Sequence, residues 1–161
     1  YQVVDRAMLV KDVPADKHYD FDYLISLLDW DRNVSPTFQQ DYHLRPKPIG
    51  DVAASASAGY MEEWITYGSE WFSAKRLTVH PGRTVTVTDP VAYGTICIQG
   101  YGRFGPHNVS SPTMIRYGQM TEDEFFVTIG AAQAGVQVTN LSHTEPLVML
   151  KHFNPGNPNL P

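Results

Sequence analysis

The sequence is poor in cysteine, in positive charge and in long apolar runs. Its one cysteine, Cys97, lies in the apolar stretch TICI, which predicts a buried, inert thiol and excludes a framework of disulfides within the chain. Its 12 basic and 17 acidic residues give a formal net charge of −5. This balance argues against nucleic acid and against anionic membranes as partners, because phosphate binding requires a basic face.

No apolar run reaches the roughly 18 residues that span a membrane, and residues 1–14 contain no apolar signal core. A cytoplasmic protein is therefore expected. The chain also lacks an initiator Met, since it begins at Tyr1, so we expect a processed protein or one piece of a longer one. What it does have is 42% hydrophobic and only 18% charged residues, a composition that supports a globular core. Its 161 residues suit one domain with an arm.

The N-terminal part is predicted to be an irregular arm, residues 1–58, with one short helix over residues 20–31. Asp20 can cap this helix. Its apolar residues fall on one stripe, formed by Phe21, Leu24, Leu27 and Leu28. Residues 33–49 carry three prolines and predict an extended surface loop. The small-residue run 51–59 marks the expected boundary, so residues 59–161 form the second predicted domain.

From Tyr60 onward the hydrophobic period changes to two, which is typical of β-strands. Strands are predicted near residues 61–67, 71–79, 83–88, 94–99, 113–117, 124–129, 135–140 and 146–153. Turn signals separate them: PG at 81–82, DP at 89–90, GYG at 100–102, GPHN at 105–108 and SHTEP at 142–146. Many short strands without intervening helices predict an antiparallel, all-β sandwich or barrel.

Three segments between Leu77 and Phe153 resemble conserved pieces of a known superfamily in their order and spacing. They are Leu77-Thr-Val-His-Pro-Gly82, Ile96-Cys-Ile-Gln-Gly100-Tyr-Gly102 and Asn140-Leu-Ser-His-Thr-Glu-Pro-Leu-Val-Met-Leu150. Together they are similar to the two motifs of the cupin superfamily. This resemblance implies an antiparallel jelly-roll barrel, here preceded by the irregular arm with its short helix.

A narrower resemblance covers residues 64–158, which are similar to the C-terminal half of mannose-6-phosphate isomerase-like bicupin proteins. The stretch LISLLDWDRNVSP is similar to the connecting arm of those proteins. The resemblance implies one half of a bicupin or a standalone descendant of it. The expected partners are therefore an N-terminal cupin half or a second copy in a homodimer, and a small sugar or sugar phosphate as ligand.

Metal-binding cupins hold their ion with two histidines and a glutamate from the first motif and a histidine from the second. In this chain the resemblance puts the first-motif positions on Thr88, Pro90 and Tyr93 or Gly94. Residues 133–136, the region of the second-motif ligand, contain no histidine. We therefore predict no metal or other cofactor in this chain, with a divalent metal left open for a partner domain.

Two strand faces could still line a ligand pocket. Thr86 and Thr88 lie on one face of one predicted strand, and that face is either a hydroxyl-lined pocket wall or a solvated surface. Lys151 and His152 point to opposite faces of the last strand, so one of them is expected to face the cavity.

Three further residues are weak candidates for ligand contact. Arg116 and Tyr117 follow an apolar stretch, where they are either an exposed strand end or a contact for an anion or a sugar. Glu124 is either part of a solvated turn or an inward general base. No residue is assigned as catalytic.

Three functions remain open at this point. The first is a cupin domain without its own standard metal site, serving as a structural or small-polar-ligand-binding half. The second is a metal-dependent cupin isomerase with non-standard ligands. The third is a protein-interaction module whose arm wraps a partner domain. Whether the chain is an enzyme stays undecided, and a sugar-phosphate isomerase-like activity would need the partner domain.

Overall fold

The computed structural model describes residues 5–111, 113 and 117–161. The chain divides into two compact units, residues 1–43 and 44–161. The predicted boundary after residue 58 lies inside the second unit. Residues 44–58 belong to that unit because Lys47 and Pro48 pair with its first long strand.

The first unit contains several short helices, so the prediction of a single helix in the arm is wrong. They are α1 (Arg6–Leu9), a 3-10 helix (Ala15–Lys17), α2 (Phe21–Ser26), α3 (Trp30–Asn33) and α4 (Phe38–Tyr42). The helix predicted over 20–31 is interrupted because Asp29 caps a new helix, its side chain accepting a hydrogen bond from the Arg32 N–H. The expected cap at Asp20 is confirmed by its bond from the Tyr23 N–H. The predicted extended loop over 33–49 contains α4.

The described residues of the second unit form strands in two antiparallel sheets and two short helices. In chain order it contains β1 (Lys47–Pro48), α5 (Val52–Ala58), β2 (Tyr60–Thr66), β3 (Ser73–Val79), β4 (Thr84–Val87), β5 (Tyr93–Gln99), β6 (Tyr101–Phe104), β7 (His107–Ser110), β8 (Glu124–Val127), α6 (Ile129–Ala134), β9 (Val136–Asn140) and β10 (Leu147–Phe153). One sheet has the order β1-β2-β3-β10-β5-β8 and the other β4-β9-β6-β7. The predicted antiparallel β architecture is confirmed for this unit, and α5 lies in what was expected to be the arm.

The core lies between the two sheets, as the period of two predicts. Leu77 on β3 and Met149 on β10 are direct register partners, and both are fully buried. Val138 on β9, in the other sheet, is also fully buried and belongs to the same core cluster. Burying each such side chain stabilises the fold by roughly 1.5–3 kcal/mol. Cys97 belongs to the same cluster as a free, buried thiol, as predicted.

Two strands were missed because glycines were interpreted as turn residues. The predicted turns at 100–102 and 105–108 overlap β6 and β7. Gly100 and Gly105 do turn the chain, with φ values of 85° and 57°. Gly102 continues the strand, and a Cβ there would come 1.9 Å from the Thr139 carbonyl oxygen. This glycine therefore permits close backbone approach in the sheet.

The predicted strand over 124–129 ends early at Val127. The Thr128 side chain accepts a hydrogen bond from the Ala131 N–H and so starts α6. The strand predicted at 113–117 falls largely on residues outside those that the structure describes. Within the described ranges, no helix is long and apolar enough to cross a bilayer.

Candidate functional site

Four charged side chains meet in the interior of the second unit. Lys75 on β3 and Lys151 on β10 are register partners. Both point inward because each lies an even number of positions from the core residues of its strand, and alternate side chains of a strand point to the same face. Asp89 comes from the connection between β4 and β5, and Glu62 from β2. The two lysines and Asp89 are at most 3% exposed, so this charge cluster (Glu62, Lys75, Asp89 and Lys151) lies in the core.

Each ammonium group of the charge cluster lies close to carboxylate oxygens. Lys75 Nζ donates to Asp89 Oδ1 at 2.5 Å and lies 4.0 Å from Glu62 Oε1. Lys151 Nζ lies 2.5 Å from Asp89 Oδ2 and donates to Glu62 Oε1. The cluster therefore holds two positive and two negative charges. Mutual pairing offsets part of the large desolvation cost of burying them.

Aromatic rings surround the two ammonium groups. Lys75 Nζ lies 4.8 Å from the Trp64 ring centroid and 5.3 Å from that of Phe153. Lys151 Nζ lies 5.1 Å from the Tyr93 centroid. These distances are typical of cation–π contacts, which become stronger where water is excluded. The rings therefore add to the stabilisation of positive charge at this place.

Three hydroxyl groups around the charge cluster have no hydrogen-bond partner among the described residues. They belong to Ser73, Tyr93 and Thr95, all of which are buried. Burial, followed by the negative charges of Asp89 and Glu62, raises the pKa of the Tyr93 phenol far above its ordinary value. Tyr93 is therefore a neutral phenol in the physiological range. Burial likewise raises the pKa of the Cys97 thiol to about 11, so this thiol is unreactive.

The residues of this interior do not fit a divalent metal ion. Of the positions at which the cupin resemblance would put ligands, Thr88 is exposed and Pro90 has no donor side chain. Tyr93 is a neutral phenol. No group of three or more His, Cys, Asp or Glu side chains is arranged to hold a metal, as far as the described ranges extend. The two interior carboxylates are already engaged by lysine ammonium groups, which a metal ion would have to displace.

A separate groove of about 550 Å³ opens at the end of the sandwich, between the β6–β7 turn, β8 and the start of α6. Phe104 and Phe125 form its aromatic floor, with ring centroids 5.1 Å apart. The His107 ring lies 6.1 Å from that of Phe125. Polar residues also line the groove, among them Asn108, Glu122 and Glu124. It therefore combines stacking surface with hydrogen-bond acceptors.

The predicted site residues fall in different places. Lys151 is completely buried in the charge cluster, whereas His152 is only partly buried on the other face of β10, which confirms their opposite orientation. Glu124 is exposed and lines the groove. Glu124 and His152 also line one shallow depression on the outer face of the larger sheet. Of the two alternatives left open for Glu124, its exposure agrees with the solvated position and not with an inward carboxylate.

The remaining candidates do not contribute to the interior. Thr86 and Thr88 are exposed, whereas Val85 and Val87 are buried on the opposite face of the strand. The threonines therefore lie on a solvated face. Tyr117 is fully exposed. Arg116 lies outside the residues that the structure describes.

Sequence reasoning missed Glu62, Lys75 and Asp89. The sequence did contain a sign that Lys75 is buried. Lys75 lies on the same face of a predicted strand as Leu77 and Val79, where an apolar residue is expected. Asp89 belongs to the predicted Asp-Pro turn at residues 89–90, and its side chain is nevertheless buried. Nothing local distinguishes a turn carboxylate that points inward from one that points to solvent.

No family model and no curated protein matches this sequence. Solved structures that are similar to this chain include an RmlC-like cupin from Ralstonia eutropha, at 9% identity and a TM-score of 0.45. That match covers 69% of this chain and 63% of the other, so the chain spans less than two thirds of that protein. A cupin-2 domain protein from Rhodospirillum rubrum matches at 13% identity over 70% of each chain, with a TM-score of 0.44.

A structure of Rhodobacter sphaeroides SigE in complex with the anti-sigma ChrR matches over 96% of this chain and 99% of the other, at 10% identity and a TM-score of 0.44. Such identities and TM-scores carry no conclusion on activity, substrate or partner. The solved structures to which this chain is similar thus include cupin proteins.

Proposed function

We propose that the second unit is a cupin-type β-sandwich that binds a small, neutral, hydroxyl-bearing ligand in the groove, without a divalent metal. The observation that carries this proposal is the tilted Phe104–Phe125 pair, whose Phe125 ring is only half-buried, beside carboxylate and amide groups. Aromatic faces stack on the apolar faces of sugar rings, and carboxylate oxygens accept hydrogen bonds from hydroxyl groups. A sugar is the ligand class with both features.

The charge of the groove favours a neutral sugar over a sugar phosphate. Glu122 and Glu124 line it, and no lysine or arginine does so among the residues described there. The nearby Arg103 guanidinium is engaged by Asn108, to whose Oδ1 it donates at 2.6 Å. A phosphate dianion would therefore meet two carboxylates with His107 as the remaining basic group.

The more specific expectations from the sequence stay predictions. They are the relationship to mannose-6-phosphate isomerase-like bicupins, an isomerase activity, a second cupin half carrying the metal, a homodimer and a cytoplasmic location. The interaction module also stays open, with residues 1–43 as a unit of their own that would contact a partner.

Isothermal titration calorimetry in the presence of EDTA tests the proposed function. The probes are mannose, fructose and glucose, each compared with mannose 6-phosphate or fructose 6-phosphate. We expect at least one neutral sugar to bind, and its phosphate ester to bind about tenfold more weakly or not at all. The Glu124→Gln variant should weaken sugar binding, whereas Thr86→Val, on the exposed face of β4, should leave it unchanged.

Two results would overturn the proposal. One is the absence of heat with all three neutral sugars at roughly 10 mM, the range of weak binding. The other is tighter binding of the phosphate esters, which would place the ligand at a basic site elsewhere.

A further inference from the structure

The charge cluster is partly built from the segment to which the cupin resemblance assigns the metal ligands. Asp89 lies between Thr88 and Pro90, and Tyr93 opens β5. Both Asp89 and Tyr93 are buried, and both contact the ammonium group of Lys151. The interior part of this segment therefore faces a cation, and that cation is part of the chain itself.

The two ammonium groups carry the charge of one divalent ion. Lys151 contacts both carboxylates, and Lys75 contacts Asp89 directly. Glu62 and Asp89 supply two negative charges from two different elements, so they converge on the lysines as carboxylate ligands converge on a metal. The rings of Trp64, Tyr93 and Phe153 enclose the ammonium groups and exclude water from them.

We propose that the ammonium groups of Lys75 and Lys151 replace a divalent cation in the interior of the second unit, so that Glu62 and Asp89 form a metal-type carboxylate pair neutralised by the chain's own lysines. A metal ion entering this place would leave two buried ammonium groups without partners, which is strongly unfavourable. The positive charges of the two lysines therefore oppose the binding of a divalent metal ion in the interior. This inference concerns the interior and does not depend on ligand binding in the groove.

Thermal unfolding of the full chain tests this replacement. We compare the wild type, the Lys75→Leu/Lys151→Leu double variant and a quadruple variant that also carries Glu62→Gln and Asp89→Asn. Leucine fills part of the lysine stem volume and adds no ligand atom. Each protein is measured in EDTA and with Mn²⁺ or Zn²⁺, and its metal content is determined by elemental analysis.

We expect the double variant to acquire a metal response, with a rise in Tm of about 5–10 °C at a metal concentration roughly 100 times the Kd. The wild type and the quadruple variant should show no response to EDTA or to either ion. If the double variant folds only when metal is added, as judged by near-ultraviolet circular dichroism, that result also supports the proposal.

Two outcomes would contradict the replacement of a metal by lysines. The first is a wild-type protein that contains stoichiometric metal or is stabilised by either ion, whatever the variants do. The second is a double variant that gains nothing from metal, or stays unfolded with it, while the quadruple variant folds. In that case Glu62 and Asp89 would be ordinary ion-pair partners without the geometry of a metal site.

Discussion

Lys75 and Lys151 lie directly opposite each other on β3 and β10, two like charges facing the same core. Their repulsion is offset by Asp89, which presents one carboxylate oxygen to each ammonium group at 2.5 Å. Asp89 therefore holds the cross-strand pair together. Because it is buried and bridges two cations, it is the residue of the cluster whose loss should matter most.

Replacing Asp89 by asparagine should destabilise the protein by about 3–5 kcal/mol, because two buried ammonium groups lose a charged partner. Urea or guanidinium unfolding at neutral pH measures this change. Glu70→Gln is the matched control, since Glu70 is exposed, and it should stay within about 0.5 kcal/mol of the wild type. Equal losses for the two variants would show that the charge cluster contributes little.

Replacing Tyr93 by phenylalanine should leave stability unchanged or raise it by up to about 1 kcal/mol. The Tyr93 hydroxyl is buried without a hydrogen-bond partner among the described residues, so removing it removes a desolvated polar group and keeps the ring on Lys151 and Phe153. The same unfolding experiment tests this. A loss above about 1 kcal/mol would show that the hydroxyl has a favourable partner, such as a buried water.

The Cys97 thiol should make stability fall as the pH rises through the range from about 9 to about 11. Its pKa in the folded state is raised by burial to about 11 from an ordinary value of 9.0. The folded protein therefore retains the thiol proton where the unfolded chain has lost it, and stability present below pH 9 is lost above it. The difference between the unfolding curves of the wild type and Cys97→Ala across this range isolates the effect of the thiol.

The chemical reactivity of Cys97 gives an independent test of the burial that causes this pH dependence of stability. The thiol should react with a disulfide reagent at pH 8 only on the time scale of unfolding, because it is buried. Rapid labelling of the native protein would contradict the burial of this side chain.

Gly102 should be one of the least replaceable glycines. An alanine Cβ there would come 1.9 Å from the Thr139 carbonyl oxygen, so Gly102→Ala should cost more than about 2 kcal/mol or prevent folding. Gly130→Ala is the matched control, because Gly130 lies in α6 with no atom within 4 Å of its Cβ position. This control should be neutral or stabilise by up to about 1 kcal/mol. A tolerated Gly102→Ala would mean that β6 and β9 do not approach so closely.

The strands of the second unit were largely predictable because their signal is local. Alternation in β3, β5 and β10 follows from a period of two, and the turn at Gly82 is confirmed by its positive φ of 69°. Errors arose where one residue type serves two purposes. Gly102 was assigned to a turn although it allows close packing, and Asp29 was placed within a helix although it caps the next one.

The sequence by itself determined that neighbouring strand residues such as Lys151 and His152 point to opposite faces, because side-chain alternation is a property of the strand alone. Only the tertiary structure decided what Lys151 meets there. The contact between Lys151 and Glu62 joins residues 89 positions apart, and Asp89 enters from a connection that looks like an exposed turn. Such a charge cluster depends on how β2, β3, β10 and the β4–β5 connection pack together, and no local pattern encodes that convergence.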